Sequence, residues 1–133
     1  MSIVVVVGTR PEIIKMTPVI KELEKRGLEF TFIHTGQHYD YEMSSIFLKE
    51  LELPEPHESF ELENHNPASQ MGEMMIKLEK VLEKHNGRKH KVMLIQGDTN
   101  TMLAAGLTAL KLGIRVGHVE AGLRSYDLSL IHI

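Results

Sequence analysis

An apolar run near the start of the chain constrains the fold more than any other feature. Ile3 to Val7 is an unbroken series of β-branched apolar residues. Such a series has no polar face to turn toward water, so it is typical of a strand that is buried on both faces, as in the middle of a parallel sheet. We therefore predict a central strand over residues 2–7.

Helical periodicity alternates with further short strands along the rest of the chain. The predicted helices cover residues 11–27, 42–51, about 68–85 and 103–112, and the other predicted strands cover residues 30–35, 92–95 and 114–119. Residues 52–66 contain prolines and many acidic residues, which predicts a surface loop with one short extended piece. Strands that alternate with helices through short loops form a parallel sheet with helices on both faces. The predicted fold is therefore a doubly wound α/β domain.

Pro18 lies inside the first predicted helix and leaves its course open. Proline has no backbone N–H, so it removes a hydrogen bond from the interior of a helix. Either Pro18 kinks one continuous helix, or Thr17 caps a second helix that has Pro18 at its first position. The sequence is compatible with both alternatives.

Composition narrows the class of function. With 133 residues and 42% hydrophobic content, the chain fits one compact domain. Its 15 Lys and Arg against 18 Asp and Glu include no basic block, so we expect no nucleic-acid partner. Cysteine is absent and the histidines lack the spacing of metal ligands, so we predict no metal site. With no membrane-spanning stretch and no signal peptide, we expect a cytoplasmic protein without a membrane partner.

Polar and glycine residues follow each predicted strand. These stretches are GTR at residues 8–10, HTGQH at 34–38, QGDTN at 96–100 and EAGLR at 120–124. In an open parallel sheet, ligands bind beyond the carboxyl ends of the strands. We therefore expect the functional residues to gather along one rim of the sheet.

The first of these turns has the features of an anion site. Arg10 precedes a proline, which favours extended geometry, and the helix that starts at Pro11 directs its free N–H groups toward the same space. The guanidinium of Arg10 can bind phosphate oxygens through paired hydrogen bonds, and Lys15 adds a second positive charge. The alternatives are an ion pair between Arg10 and Glu12, and a Lys15 that is merely solvated.

Two carboxylates and several histidines follow later strands. Asp98, taken alone, is better explained as the N-cap of the next helix. Glu120 follows an apolar strand and precedes an Ala-Gly turn, which favours a position at the rim of the sheet. Two such carboxylates could divide acid and base duties. The histidines 34, 38 and 118 are more often hydrogen-bonded structural residues than catalysts.

Four motifs together are highly specific: GTRPEIIKM, HTGQHYD, QGDTNT and HVEAGLRS, in this order and at these separations. Through them the chain closely resembles the N-terminal half of the non-hydrolysing UDP-N-acetylglucosamine 2-epimerases, over residues 1 to about 127. The resemblance implies the first of two Rossmann-like domains in a GT-B type fold. It also implies a UDP-sugar substrate in the cleft between the two domains, and a full-length homodimer.

The resemblance further implies a reaction and a set of site residues. Members of this family interconvert UDP-N-acetylglucosamine and UDP-N-acetylmannosamine by eliminating UDP and adding it back, without a cofactor. Matched by motif, Arg10 and Lys15 would bind substrate, and Asp98 and Glu120 would be the catalytic acidic residues. Which of the two removes the C2 proton stays open. Residues Gln37 and His38 match a stretch that contributes to an allosteric UDP-N-acetylglucosamine site.

The chain departs from the family pattern after Asp127. The family continues with a further catalytic glutamate and a second domain, both of which we expect to be absent here. Residues 128–133 look like translated sequencing-adapter DNA, so we expect a non-native tail and a chain that is inactive alone. The alternative functions are a sugar-nucleotide-binding module without catalysis and a fragment of a GT-B glycosyltransferase.

Overall fold

The computed structural model describes residues 2–36, 41–85 and 90–122. Its strands are β1 (Ser2–Val7), β2 (Phe30–His34), β3 (Glu58–Ser59), β4 (His90–Gln96) and β5 (Arg115–Val119), and its helices are α1 (Arg10–Lys25), α2 (Tyr41–Glu50), α3 (Pro67–Lys84) and α4 (Asn100–Lys111). All strand pairs are parallel, and the order across the sheet is β3-β2-β1-β4-β5. The predicted doubly wound α/β fold is confirmed.

Strand β1 lies in the middle of the sheet, and all six of its residues are buried. Val4 and Val6 pack with α3 and α4 on one face. The alternate residues, Ile3, Val5 and Val7, pack with α1 and α2 on the other face. Since each face of β1 contacts a separate helical layer, a polar residue at any of these five positions would enter one of the two cores.

Helix α1 continues through Pro18, so the alternative of a second helix start is wrong. Thr17 lies within the helix, where its Oγ1 donates to the Ile13 carbonyl at 2.8 Å. Buried apolar residues recur along one side of α1, at positions Ile13, Met16, Ile20 and Leu23. This apolar stripe stabilises the helix through tertiary packing, so the hydrogen bond lost at Pro18 does not end it. Ile14, although apolar, lies outside this stripe and is 53% exposed.

The helix starts differ from those predicted. Helix α1 begins at Arg10, because the Thr9 carbonyl accepts from the Ile13 N–H at 3.1 Å. The extended residue before the helix is Thr9, with φ −130° and ψ 161°, and not Arg10 as predicted. Helix α4 begins at Asn100, ahead of the predicted start at Leu103. In each case the first turn carries polar residues, which hydrophobic periodicity does not detect.

The strand order indicates where along the rim of the sheet a ligand would bind. From β1 the sheet grows in one direction through β2 to β3 and in the other through β4 to β5. A crevice opens at such a reversal, outside the carboxyl ends of the two neighbouring strands. The turns that follow β1 and β4 therefore flank the expected ligand crevice. In the described ranges, no helix combines the length and apolar character of a membrane span.

Gly8, at the end of β1, lies where a side chain cannot fit. A Cβ built there would come within 2.4 Å of the Thr35 hydroxyl and 2.0 Å of the Thr101 hydroxyl, which are hydrogen-bonded to each other. We expect Gly8→Ala to lower the free energy of unfolding by about 1–3 kcal/mol, as for an overpacked core. Urea unfolding of the parent protein and of Gly8→Ala, under the same conditions, measures this difference.

Gly72, on helix α3, is the matched control for this prediction. A Cβ built there meets nothing within 4 Å. Gly72→Ala should leave the stability unchanged or raise it by up to about 1 kcal/mol, because alanine is the better helix former. Equal losses in the two variants would contradict the steric explanation at Gly8.

Candidate active site at the carboxyl ends of the strands

The turn after β1 is organised around the carboxylate of Glu12, which is only 2% exposed. Its Oε2 accepts from the Gly8 N–H at 3.0 Å, and its Oε1 accepts from the Thr9 hydroxyl at 3.1 Å. The hydroxyl of Thr99, in the turn after β4, donates to the same Oε1. Glu12 therefore joins the two turns that flank the crevice. The sequence indicated Glu12 only as a partner for Arg10 and did not predict this role.

A sequence signal for this arrangement does exist. Thr9 and Glu12 have the spacing of a capping box, in which an acidic residue three positions after the N-cap turns back toward the start of the helix. Here the Thr9 hydroxyl donates to Glu12, so it forms no hydrogen bond with the N–H groups of α1. The spacing indicates the backward orientation of Glu12, but it does not indicate the contact with Thr99.

Arg10 occupies the exposed first position of α1. Its guanidinium carbon lies 5.9 Å from the centre of the Phe47 ring, within the range of a cation–π contact. Such a contact is worth about 0.5–1 kcal/mol at an exposed site, so an anion at the N-terminus of α1 could compete for the guanidinium. The alternative ion pair between Arg10 and Glu12 stays a prediction.

Lys15 and Glu120 form an ion pair across the rim. The Lys15 Nζ donates to Glu120 Oε2 at 2.7 Å, and Gln96 Nε2 donates to the same oxygen at 3.1 Å. The side chains of Lys15 and Glu120 are 42% and 34% exposed. Exposed ion pairs contribute at most about 1 kcal/mol, so this pair is a weak contribution to stability and can be opened by a competing anion. Lys15 is thus not merely solvated, and the structure brings it together with Glu120. The sequence placed Gln96 in the QGDTN stretch at this rim, but it did not indicate the contact with Glu120.

Glu120 has an unusual backbone. Its φ is 63°, in the left-handed region, and the corresponding positive values after β2 and β4 belong to the glycines Gly36 and Gly97. A residue with a Cβ pays about 1–2 kcal/mol in this region. The weak ion pair does not outweigh that cost, so the structure keeps a carboxylate where glycine would be favoured. Retained strain of this kind is a feature of functional positions.

Asp98 is exposed and lies in the turn after β4. The predicted N-cap interpretation of Asp98 is wrong, because Thr99 is the N-cap of α4 and its side chain accepts from the Met102 N–H. Glu120 follows β5, the neighbour of β4, so the two carboxylates belong to adjacent strand ends. A capping role therefore does not explain the presence of an aspartate at position 98.

The histidines have structural contacts where they are described. Burial lowers the pKa of His34, whose Nδ1 accepts from the Gly36 N–H at 3.0 Å. The Nε2 of His118 donates to the Gly97 carbonyl at 2.6 Å, which agrees with the hydrogen-bonded role predicted for it. Gln37 and His38 lie outside the described residues. Within the described ranges, no cluster of three or more His, Cys, Asp or Glu residues could hold a metal ion.

A separate cavity lies beside the end of β2. It has a volume of about 520 Å³ and is bordered by α2 and by residues of the 53–63 segment. Its lining includes His34 and the apolar side chains of Leu48 and Leu62. The described residues around it do not include Arg10 or Glu120, so this cavity is distinct from the crevice between β1 and β4.

The backbone of Glu120 can be tested by stability measurements. Because glycine adopts positive φ without steric cost, we expect Glu120→Gly to be more stable than Glu120→Ala by about 1 kcal/mol in urea unfolding. At the exposed helical position Glu22 the order should reverse, since glycine is worse than alanine inside a helix by about 1 kcal/mol. If the glycine and alanine variants had the same order of stability at both positions, the left-handed backbone of Glu120 would be contradicted.

Comparisons with known proteins identify the family of this chain. The family model described as UDP-N-acetylglucosamine 2-epimerase matches residues 21–132. The UDP-N-acetylglucosamine 2-epimerase of Methanocaldococcus jannaschii is 48% identical over 130 residues, covering 98% of this chain and 35% of the relative. This chain therefore spans about a third of the length of the relatives it matches.

Solved structures give the same result. The crystal structure of the Methanocaldococcus jannaschii enzyme in complex with UDP-GlcNAc and UDP matches with TM-score 0.86 and 47% identity, covering 97% of this chain and 35% of that one. A Streptomyces glycosyltransferase in complex with thymidine diphosphate matches with TM-score 0.60 at 16% identity, covering 89% and 38%, which is a likeness of fold alone. The chain belongs to the UDP-N-acetylglucosamine 2-epimerase family and is a Rossmann-like part of its GT-B type fold.

Proposed function

We propose that the full-length protein containing this chain is a non-hydrolysing UDP-N-acetylglucosamine 2-epimerase. Such an isomerase interconverts UDP-N-acetylglucosamine and UDP-N-acetylmannosamine. Family membership supports the class of reaction, and the four motifs supply candidates for both halves of the chemistry, which are anion binding and proton transfer. The proposal concerns the whole protein, because this chain is about a third as long as its relatives.

The observation that carries the proposal is the cluster formed by Lys15, Gln96 and Glu120. These residues are up to 105 positions apart in the sequence, and both donors meet on one oxygen of Glu120. A flexible surface pair would not explain a glutamate held at positive φ beside a second carboxylate, Asp98, at the adjacent strand end. The arrangement suits a site that positions acidic groups against a sugar.

Two carboxylates and two cations match the needs of the reaction. The proton on C2 leaves to a base while the bond between C1 and UDP breaks, which yields 2-acetamidoglucal and UDP. Protonation of the opposite face of C2 and return of UDP to C1 then give the epimer. No oxidant or reductant enters this balance. We assign the proton transfers to Asp98 and Glu120 and leave their order open.

Arg10, Lys15 and the N-terminus of α1 supply positive charge for the diphosphate of the substrate. Arg10 can bind phosphate oxygens in the planar, paired geometry of a guanidinium. The ion pair of Lys15 with Glu120 is partly exposed, so a diphosphate could share or displace this contact at little cost. Binding of substrate would then also change the surroundings of Glu120.

Other parts of the proposal rest on the family resemblance. They are a homodimeric assembly and a regulatory UDP-N-acetylglucosamine site that includes Gln37 and His38. The proposed cytoplasmic location rests on the sequence features described above. A binding module without catalysis stays the main alternative, and the assay of the full-length protein separates the two. The glycosyltransferase alternative is less well supported, because its match is one of fold alone.

The catalytic assignment predicts large losses of turnover. In the full-length protein, Asp98→Asn and Glu120→Gln should each lower kcat by at least about 100-fold, because each removes a positioned acid or base. Glu22→Gln makes the same chemical change on an exposed ion pair of α1 and should leave kcat unchanged. In deuterated water, the product should carry deuterium at C2. Near-normal turnover in both site variants, or product without C2 deuterium, would contradict the mechanism.

The role of Arg10 predicts a failure of conservative replacement. Arg10→Ala should weaken binding of the UDP-sugar by about 10-fold or more, and Arg10→Lys should restore little of it, because an ammonium cannot make the planar paired contact. Arg26, on an exposed ion pair at the far end of α1, is the control, and Arg26→Lys should bind normally. Calorimetric titration with UDP-N-acetylglucosamine gives the affinities. Full rescue by Arg10→Lys would reduce Arg10 to a generic positive charge.

A further inference from the structure

We propose that Glu12 is a positioning residue of this site, which holds the catalytic turn after β4 in register with the anion-binding turn after β1. This inference rests on the proposed function, since it concerns how that site is assembled. Glu12 itself is buried and so is not placed to contact substrate. Its action would pass through Thr99, the neighbour of Asp98 in the chain.

The hydrogen bonds of Thr99 have one consistent direction. A carboxylate can only accept, so the single hydroxyl proton of Thr99 is donated to Glu12. The same hydroxyl oxygen then accepts from the Met102 N–H at 3.4 Å, at the start of α4. Glu12 therefore orients the N-cap of α4 as well as contacting it.

Asp98 is anchored on both sides by other elements. On its C-terminal side, Thr99 is bound by Glu12 from α1. On its N-terminal side, the Gly97 carbonyl accepts from the His118 side chain of β5 at 2.6 Å. The exposed side chain of Asp98 thus belongs to a segment that is fixed to α1 on one side and to β5 on the other. Of these two anchors, only the one from Glu12 connects Asp98 to the turn that carries Arg10.

Stability alone does not explain a carboxylate at this position. Removing a carboxylate from water is costly, and apolar replacements of buried charged groups are often neutral or stabilising. The three donors to Glu12 come from two different turns, and each of those turns carries a proposed substrate-binding or catalytic residue. For proton transfer the placement is decisive, because a misplacement of about 1 Å can cost about 100-fold in rate.

The test compares four variants of the full-length protein. Glu12→Gln replaces one acceptor oxygen with an amide group, and Thr99→Val removes the donor hydroxyl while keeping the shape. Thr99→Ser keeps that hydroxyl. Thr108→Val makes the same change as Thr99→Val at a buried site where the hydroxyl donates to the Ala104 carbonyl, within α4. Kinetics give kcat and KM, and hydrogen exchange gives the protection of the Met102 N–H.

We expect Glu12→Gln and Thr99→Val to lower kcat by about 10-fold or more while KM changes less than about 3-fold, because the proton-transfer geometry changes and the cations do not. Thr99→Ser should restore kcat to within about 2-fold of the parent, and Thr108→Val should not alter it. The double variant Glu12→Gln/Thr99→Val should lower kcat no further than the more impaired single variant, since both changes break the same contact between Glu12 and Thr99. Unchanged kcat in Thr99→Val, or additive losses, would overturn the proposal.

Hydrogen exchange separates this inference from the proposed function. Met102 contacts Thr99, so faster exchange of its N–H in Glu12→Gln, by about 10-fold, would show that Glu12 holds the turn through Thr99. Unchanged exchange would overturn the link even in an active enzyme. If the parent protein has no epimerase activity, the proposed function fails while the exchange result still decides the role of Glu12. If Glu12→Gln does not fold, Thr99→Val and Thr99→Ser decide it through kcat.

Discussion

The burial of β1 on both faces is the constraint on which the rest of the structure depends. Because its side chains alternate between two cores, helices must cover both sides of the sheet, and the strands must be connected by crossovers. Parallel strands in turn place all their carboxyl ends on one rim. The gathering of Arg10, Asp98 and Glu120 on that rim is therefore a consequence of how the apolar residues of β1 are packed.

The charges on the rim are of two energetic kinds. Lys15 and Glu120 are partly exposed, so their pairing is weak and can respond to a ligand. Glu12 is enclosed, so its contacts are costly to leave unsatisfied and are suited to holding parts of the backbone in place. The site thus combines a permanent buried hydrogen-bond network with an ion pair that exchanges easily. A ligand would alter the ion pair without disturbing the buried hydrogen-bond network.

The sequence predicted the elements whose signal is apolar periodicity. The central strand, the helices and the parallel sheet follow from that signal, and so does the convergence of the turns after the strands. The start of α4 and the N-cap role of Thr99 did not follow from apolar periodicity. They depend on which of several polar residues accepts a hydrogen bond from a backbone N–H. The contact of Gln96 with Glu120 could not be identified either, since it joins the end of β4 to the turn after β5. The left-handed φ of Glu120 is set by the tertiary path of the chain and has no glycine to mark it. The roles of Asp98, Glu120, Arg10 and Lys15, and the domain bounds of residues 1–127, stay predictions.

The hydrogen bond from Gly8 to Glu12 has a consequence for how this protein can recognise a nucleotide. In Rossmann-type dinucleotide sites, a glycine-rich turn after the first strand lets backbone N–H groups approach a pyrophosphate directly. Here the first of those N–H groups is already bound to a carboxylate, and a pyrophosphate placed against it would meet like charge. The turn is thereby closed to dinucleotides bound in that manner. Under the proposed function, the diphosphate of the substrate would therefore be held through Arg10, Lys15 and the N-terminus of α1, and not through the Gly8 N–H.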